Sequence, residues 1–416
     1  MIKRIAAIPL AMGLLVLLSV LSGCEDHVDV VVAYLGTGAL YMYLLIIYFN
    51  LLMGVSSGIK IARRLHLFWG FVPLAILYVF QVFNEGFVPE SVSRMIQFVT
   101  ILFILLVGIQ LSSKFDDYDA LFYVMGCVGF AFLVVVGVYA VVRGSTVLSL
   151  GLKNPNSLGL YSLNIFFWAY ARSIAGIRGK GRDVWIPFVL ATMCLYYSGS
   201  RASMIALAFG VIALHNKEYL LANKKRYLLI SLVITIIPAL VVWAASGDLF
   251  YWFKNFYDSY ASGVYHKKFE SGRDRIWPIL IAAISEKPIL GWGLHVNLRN
   301  ISSYDLSAHN MYLQILFQSG LLGVLLFFVF LYRLYVLMWR YRENEYVRVS
   351  YVFMLVLMVT QAFEVALTQN NLPITISFWT FVAFSIASAI SDERRLVNDD
   401  RVCDYGMVDY ACGQDH

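Results

Sequence analysis

The sequence predicts an all-α integral membrane protein with about twelve transmembrane helices and one large loop on the outer side of the bilayer. Three observations predict it. The chain is 60% hydrophobic and only 14% charged, against roughly 25% charged in an ordinary soluble domain. Apolar stretches near the ~18–20 residues needed to cross a bilayer recur from one end to the other. Lysine and arginine gather in alternate connections between those stretches.

Taken in order, the apolar runs place spans near 5–23, 29–52, 67–83, 94–111, 120–142 and 158–172. The second half places them near 184–198, 202–214, 227–245, 310–332, 349–367 and 374–390. The runs 184–198 and 202–214 are short and read either as two spans or as one broken pair. Lys3 and Arg4 precede the first run, which ends Leu21-Ser22-Gly23-Cys24 in the manner of a lipoprotein signal. That run is nevertheless long enough to stay as a first span with its basic end in the cytoplasm.

Placing the amino terminus inside puts 21 of the 32 basic residues on cytoplasmic segments, among them Lys60, Arg63, Arg178, Lys224, Arg340 and Arg394. Short outward connections then keep only Arg94, Arg143, Lys153 and Arg201, so both termini are expected to be cytoplasmic. The whole of 1–416 reads as a single polytopic domain, with a tail over 391–416 and no internal repeat.

The outward connection at 246–309 is far longer than the others, and long loops are commonly functional. Its first part, 249–260, carries Phe250, Trp252, Phe253, Phe256, Tyr257 and Tyr260 at helix-like spacing. Such a helix would lie at the headgroup level, either anchoring the loop or stacking on a sugar.

The net charge of +6 is spread over short loops, which argues against nucleic-acid binding. The five cysteines show neither a disulfide framework nor metal-ligand spacing, and no DxD-like acidic pair or His/Cys cluster stands on the outward side, so no metal or other cofactor is expected.

Outward-facing charge beside the membrane is where chemistry is expected. Arg201 follows Tyr196-Tyr197-Ser198-Gly199-Ser200 between two apolar runs. It reads as an arginine snorkelling to headgroups or, given its small neighbours, as lining a cavity. Ser271-Gly272-Arg273-Asp274-Arg275-Ile276-Trp277 opens a short helix, although Pro278 leaves its start open. Two arginines at a helix start add to the positive end of the dipole and suit a phosphate. The Ser271-to-Asp274 spacing also fits an ordinary capping box. His309, followed by Asn310, closes the loop on the same side, as an interfacial residue or as a base. Glu364 is an ionisable residue inside a span and so a candidate by default, with pairing to an arginine as its plainer role. Gly320 and Gly323 suit close helix packing, and Gly291 and Gly293 suit turns.

These residues resemble the O-antigen ligase and polymerase superfamily of bacterial membrane glycosyltransferases. The resemblance rests on four motifs in order: Ser200-Arg201; Gly272-Arg273 with Trp277; Pro288, Gly291 and Gly293; and His309-Asn310 followed by Gly320 and Gly323. It implies a GT-C-like helical fold in the bacterial inner membrane, with the site facing the periplasm. It implies a metal-independent inverting transfer from an undecaprenyl-diphosphate-linked glycan. Arg201 with Arg273 or Arg275 would hold the diphosphate, and His309 would act as the catalytic base. Glu364 and Asn310 are possible supporting residues. The acceptor would be lipid A–core oligosaccharide for a ligase, or a growing glycan for a polymerase, and the His-to-Gly spacing leans toward the ligase. Two readings from other classes remain. A small-solute transporter would place its polar groups at the bilayer midplane. A scaffold would tolerate replacement of Arg201, Arg273, Arg275 and His309.

Overall fold

A computed structural model describes residues 67–111, 117–143, 155–175, 185–244, 273–302, 308–368 and 372–410. The expected first two spans and the aromatic stretch at 249–260 lie outside these residues.

The described helices fall on the apolar runs, apart from a five-residue helix at 217–221 and one at 273–286 that lie in the connections between them. They are α1 (Leu67–Asn84), α2 (Pro89–Leu111), α3 (Tyr118–Arg143), α4 (Pro155–Ala175), α5 (Trp185–Ser198) and α6 (Arg201–His215). They continue as α7 (Lys217–Leu221), α8 (Lys224–Ala244), α9 (Arg273–Glu286), α10 (Met311–Arg340), α11 (Glu345–Thr360) and α12 (Leu372–Tyr410). Among the described residues there is no strand. Among the described residues three helical stretches are long and apolar enough to cross a membrane: Pro89–Gln110, Met311–Arg340 and Ile374–Arg395. The short runs at 184–198 and 202–214 form two separate helices, α5 and α6, joined through Gly199 at φ 60°.

The helices sort by burial. The apolar stretch of α12 is wholly buried, whereas that of α10 is 44% buried, so α12 lies at the centre and α10 turns one side outward. α3 packs on α4, α2 on α12, and α1 on α10. The core is rich in aromatic rings: Phe122 stacks on Tyr346 at 4.0 Å, and Phe167 stacks on Phe353 at 4.2 Å. Trp69, Ile76, Phe80 and Phe83 leave an apolar stripe along the outside of α1, as a lipid-facing helix requires.

Two elements depart from the sequence reading. The run at 349–367 does not stay helical to its end: α11 stops at Thr360, and 361–368 follows as a buried irregular segment. Gln361 makes this possible, because its Oε1 accepts from the Ala366 and Leu367 amides at 2.9 and 3.2 Å. Thr375 and Trp379 of α12 donate to the carbonyls of Ala366 and Leu367. Irregular backbone inside an apolar bundle persists only when its polar groups are paired this way.

Second, α10 is broken at Gly320, which adopts φ 64° and ψ −167°. The residue serves a loop rather than the close helix packing expected of it. The amides of Trp292 and Gly293 donate to the carbonyls of Phe317 and Gln318, and those of Leu321 and Leu322 donate to Pro288 and Ile289. The Pro288-to-Gly293 loop therefore fills the gap in the helix. Contact is reciprocal: a β-carbon on Gly320 would lie 2.2 Å from the Ile289 oxygen, and one on Gly291 would lie 2.5 Å from the Gln318 carbonyl.

Gly320→Ala is therefore expected to cost about 3 kcal/mol or more, from left-handed strain plus backbone collision. Gly86→Ala, at φ 75° with nothing within 4 Å of a β-carbon, should cost only about 1 kcal/mol. Thermal unfolding of the solubilised variants measures both, and equal midpoints would contradict the docking described above.

Candidate functional site

His309 sits at the junction of several elements. Asn310 is the N-cap of α10: its Oδ1 accepts from the Leu313 amide at 2.9 Å, and its Nδ2 donates to the Ala362 carbonyl at 3.0 Å. Asn310 is fully buried and shapes the chain rather than offering its amide outward. The Met311 amide donates to the Gln361 carbonyl at 2.9 Å, stitching the start of α10 to the irregular segment after α11. Between these fixed neighbours His309 takes φ 47°, a conformation uncommon for a non-glycine residue.

The irregular segment brings Glu364 to His309. His309 Nδ1 lies 3.3 Å from Glu364 Oε2, and Asn156 Nδ2 at the start of α4 donates to Glu364 Oε1 at 2.7 Å. The carboxylate is more enclosed than the imidazole, with side-chain exposures of 11% and 22%. A carboxylate on Nδ1 favours the tautomer that carries its proton there and leaves Nε2 as the basic nitrogen. The ionisable residue singled out inside a span thus contacts the histidine.

α4 also connects this pair to Arg201. Asn156 and Gly159 are three residues apart, on one face of α4. A β-carbon on Gly159 would lie 2.4 Å from Ser200 Cβ, so the start of α6 rests against the turn of α4 that holds Glu364. Ser200 precedes Arg201 and gives no side-chain cap to the helix; its Oγ lies 2.9 Å from Ser203 Oγ instead. Arg201 is partly exposed at the positive end of the α6 dipole. Guanidinium and helix end together favour an anion there.

Arg273 and Arg275 stand in the first turn of α9, which includes Pro278 without ending; the structure describes their backbone and not their side chains. α9 is bound directly to the histidine's neighbour, because Trp277 Nε1 donates to the Ala308 carbonyl at 3.0 Å. Ile276, Trp277 and Leu280 bury themselves with Ala308, Leu313 and Phe317 in a small apolar cluster of their own. Trp277 lies one turn from Arg273, so the arginine turn of α9 is carried at the His309 junction. Ser271 and Gly272 lie outside the described residues.

The His309–Glu364 pair is thus linked to the start of α6 through Asn156, Gly159 and Ser200, and to α9 through Ala308 and Trp277. Sequence reasoning missed Asn156, whose only signal was a polar residue at the head of an apolar run. The oppositely placed end of α11 carries a different chemistry: Arg348 pairs with Glu345 at 2.9 Å and with Glu343 at 3.1 Å, and Lys217 pairs with Glu345. The 16 residues of α11 separate that end from the site by about 24 Å. Among the described residues no three of His, Cys, Asp and Glu stand together as a metal site would require.

Asn156→Ala would remove a donor from the enclosed Glu364 carboxylate and is expected to lower stability by about 1–3 kcal/mol. Thermal unfolding reads this directly; an unchanged midpoint would show that Glu364 does not need Asn156.

No curated protein matches the chain. Residues 186–328, which include Arg201, Arg273, Arg275, His309 and Asn310, match the family described as O-antigen ligase. Over that stretch, about a third of its length, the chain is similar to this family, and its long apolar helices fit a multi-pass membrane protein.

Proposed function

We propose that this protein is an O-antigen ligase that moves a glycan from undecaprenyl diphosphate onto a hydroxyl of lipid A–core oligosaccharide. The observation that carries the reading is the His309–Glu364 imidazole–carboxylate pair, with the start of α6 resting on α4 beside Glu364's partner Asn156 and α9 bound to the residue before His309.

The chemistry follows from the parts. The acceptor oxygen attacks the anomeric carbon as the bond from that carbon to the diphosphate breaks, which inverts the centre. His309 Nε2 takes the hydroxyl proton, and Glu364 stabilises the imidazolium that forms. Negative charge grows on the leaving diphosphate, where Arg201 with Arg273 or Arg275 offsets it. Guanidinium groups replace a metal in this role and remove the need for a general acid. Such an electrostatic contribution is worth about 2.7–4 kcal/mol per donor. The distribution of lysine and arginine favours a site facing the periplasm in the inner membrane, with both termini in the cytoplasm.

The second reading is a polymerase that joins repeat units, with a lipid-linked glycan as acceptor too. It shares the donor and the site. The spacing from His309 to Gly320 and Gly323 favours the ligase.

In a deletion strain the proposal predicts lipopolysaccharide with bare core; core carrying a single repeat would indicate the polymerase. His309→Ala should abolish transfer while the protein stays folded in the membrane, and normal surface polysaccharide in that strain would remove the base assignment. Arg201→Lys should fall about a hundredfold in rate, because an ammonium cannot reproduce a bidentate fork on phosphate. Wild-type rates from that variant would reduce Arg201 to a headgroup anchor.

A further inference from the structure

A second cluster of charged and polar groups lies outside the His309 junction, between the α1–α2 turn and the 288–300 loop. Its centre is Glu85, whose side chain is only 8% exposed. The carboxylate accepts from the Leu294 amide at 2.8 Å, faces His295 Nδ1 at 2.8 Å, and accepts from the Ser91 hydroxyl. Arg94 of α2 donates to Asn297 Oδ1 three residues further along the loop. Asn297 in turn forms a reciprocal cap with Asn300 around the 3₁₀ turn Leu298–Asn300. Gln81 of α1 completes the attachment, donating to the carbonyls of Leu290 and Gln318 at 3.0 and 2.9 Å.

An enclosed carboxylate is costly unless several donors compensate it. Here two of the three come from adjacent residues, Leu294 and His295, on the loop joining α9 to His309. The same loop then buries Val296 and Leu298 against Trp277, Ala308 and Leu313. Trp277 holds the arginine turn of α9, and Ala308 precedes His309. A path of direct contacts therefore runs from Glu85, through Leu294 and His295, to both halves of the candidate site.

We infer that Glu85 is a positioning residue for glycan transfer: it pins the loop at Leu294 and His295 and so keeps the arginine turn of α9 in register with His309. The inference rests on the transfer reaction proposed above. Glu85 touches neither half of the site itself, so its effect is carried by the loop. Misplacing reacting groups by about 1 Å can cost on the order of a hundredfold in rate without a comparable loss of binding.

The test compares the full-length wild type with Glu85→Ala, His295→Ala and the double variant in nanodiscs. The two readouts are residue-resolved amide exchange and transfer kinetics with an undecaprenyl-diphosphate-linked glycan. In Glu85→Ala the Leu294 amide should exchange about tenfold faster or more. The amides of Trp292 and Gly293, bonded to Phe317 and Gln318, should keep their wild-type rates. The same variant should lose about tenfold or more in kcat with KM for the donor within about twofold. His295→Ala should show a smaller loss of the same kind, and the double variant should be no slower than Glu85→Ala, because both changes undo one attachment.

Wild-type transfer by a folded Glu85→Ala protein overturns the inference and leaves the proposed function standing. So does a loss of rate with no change in Leu294 exchange, or a double variant in which the two losses multiply. Should Glu85→Ala fail to fold, exchange and kcat in His295→Ala decide alone. A wild type that transfers no glycan overturns the proposed function and the positioning role with it.

Discussion

Inside an apolar bundle a backbone amide or carbonyl has no water to turn to, so every departure from helix must bring its own partners. The His309 junction is assembled at the places where this protein accepts that constraint. α11 ends early and α10 is broken, and both irregular stretches are closed by hydrogen bonds from side chains or from a docked loop. Gln361 uses its side-chain oxygen to replace the next turn of α11 and its main-chain oxygen to receive the start of α10. The Pro288-to-Gly293 loop does the corresponding work for the gap at Gly320. Polar side chains can then be held in a fixed place without a continuous helix beneath them.

What the irregular segments hold is unequal in kind. Glu364 and Asn156 give His309 an orientation, and the small residues at Gly159 and Ser200 let the start of α6 approach α4 closely, one turn from Asn156. α9 arrives by a different route, through an indole hydrogen bond and a small apolar cluster separate from the main core. One group of contacts therefore belongs to the bundle and the other to the loop lying against it. The attachment centred on Glu85 fastens the second to the first.

The helical frame was largely legible in the sequence, because apolar length reports burial in lipid or in a bundle without reference to partners. The extent of α11 was not legible. Val365, Ala366 and Leu367 continue an apolar run, and nothing local distinguishes a side-chain cap by Gln361 from one more helical turn. The break at Gly320 was equally silent, since a glycine in an apolar stretch suits close packing as well as a positive φ. Glu364 could be singled out because an ionisable residue in a span is expensive, but its partner lay 55 residues away and only the fold selects it. Asn156, Glu85 and His295 belong to no motif; their meaning comes from neighbours more than 200 positions distant. The motif residues were recognisable in order along the chain, whereas the contacts that unite them were not.

The proposed transfer requires a lipid-linked diphosphate to lie beside the His309 imidazole. The most direct measurement is a cryo-electron microscopy map of the protein in nanodiscs with an undecaprenyl-diphosphate-linked glycan bound. Diphosphate density is expected within hydrogen-bonding reach of Arg201 and at the first turn of α9, with the anomeric carbon facing His309. Diphosphate density at the opposite end of α11, beside Arg348 and Lys217, would contradict it.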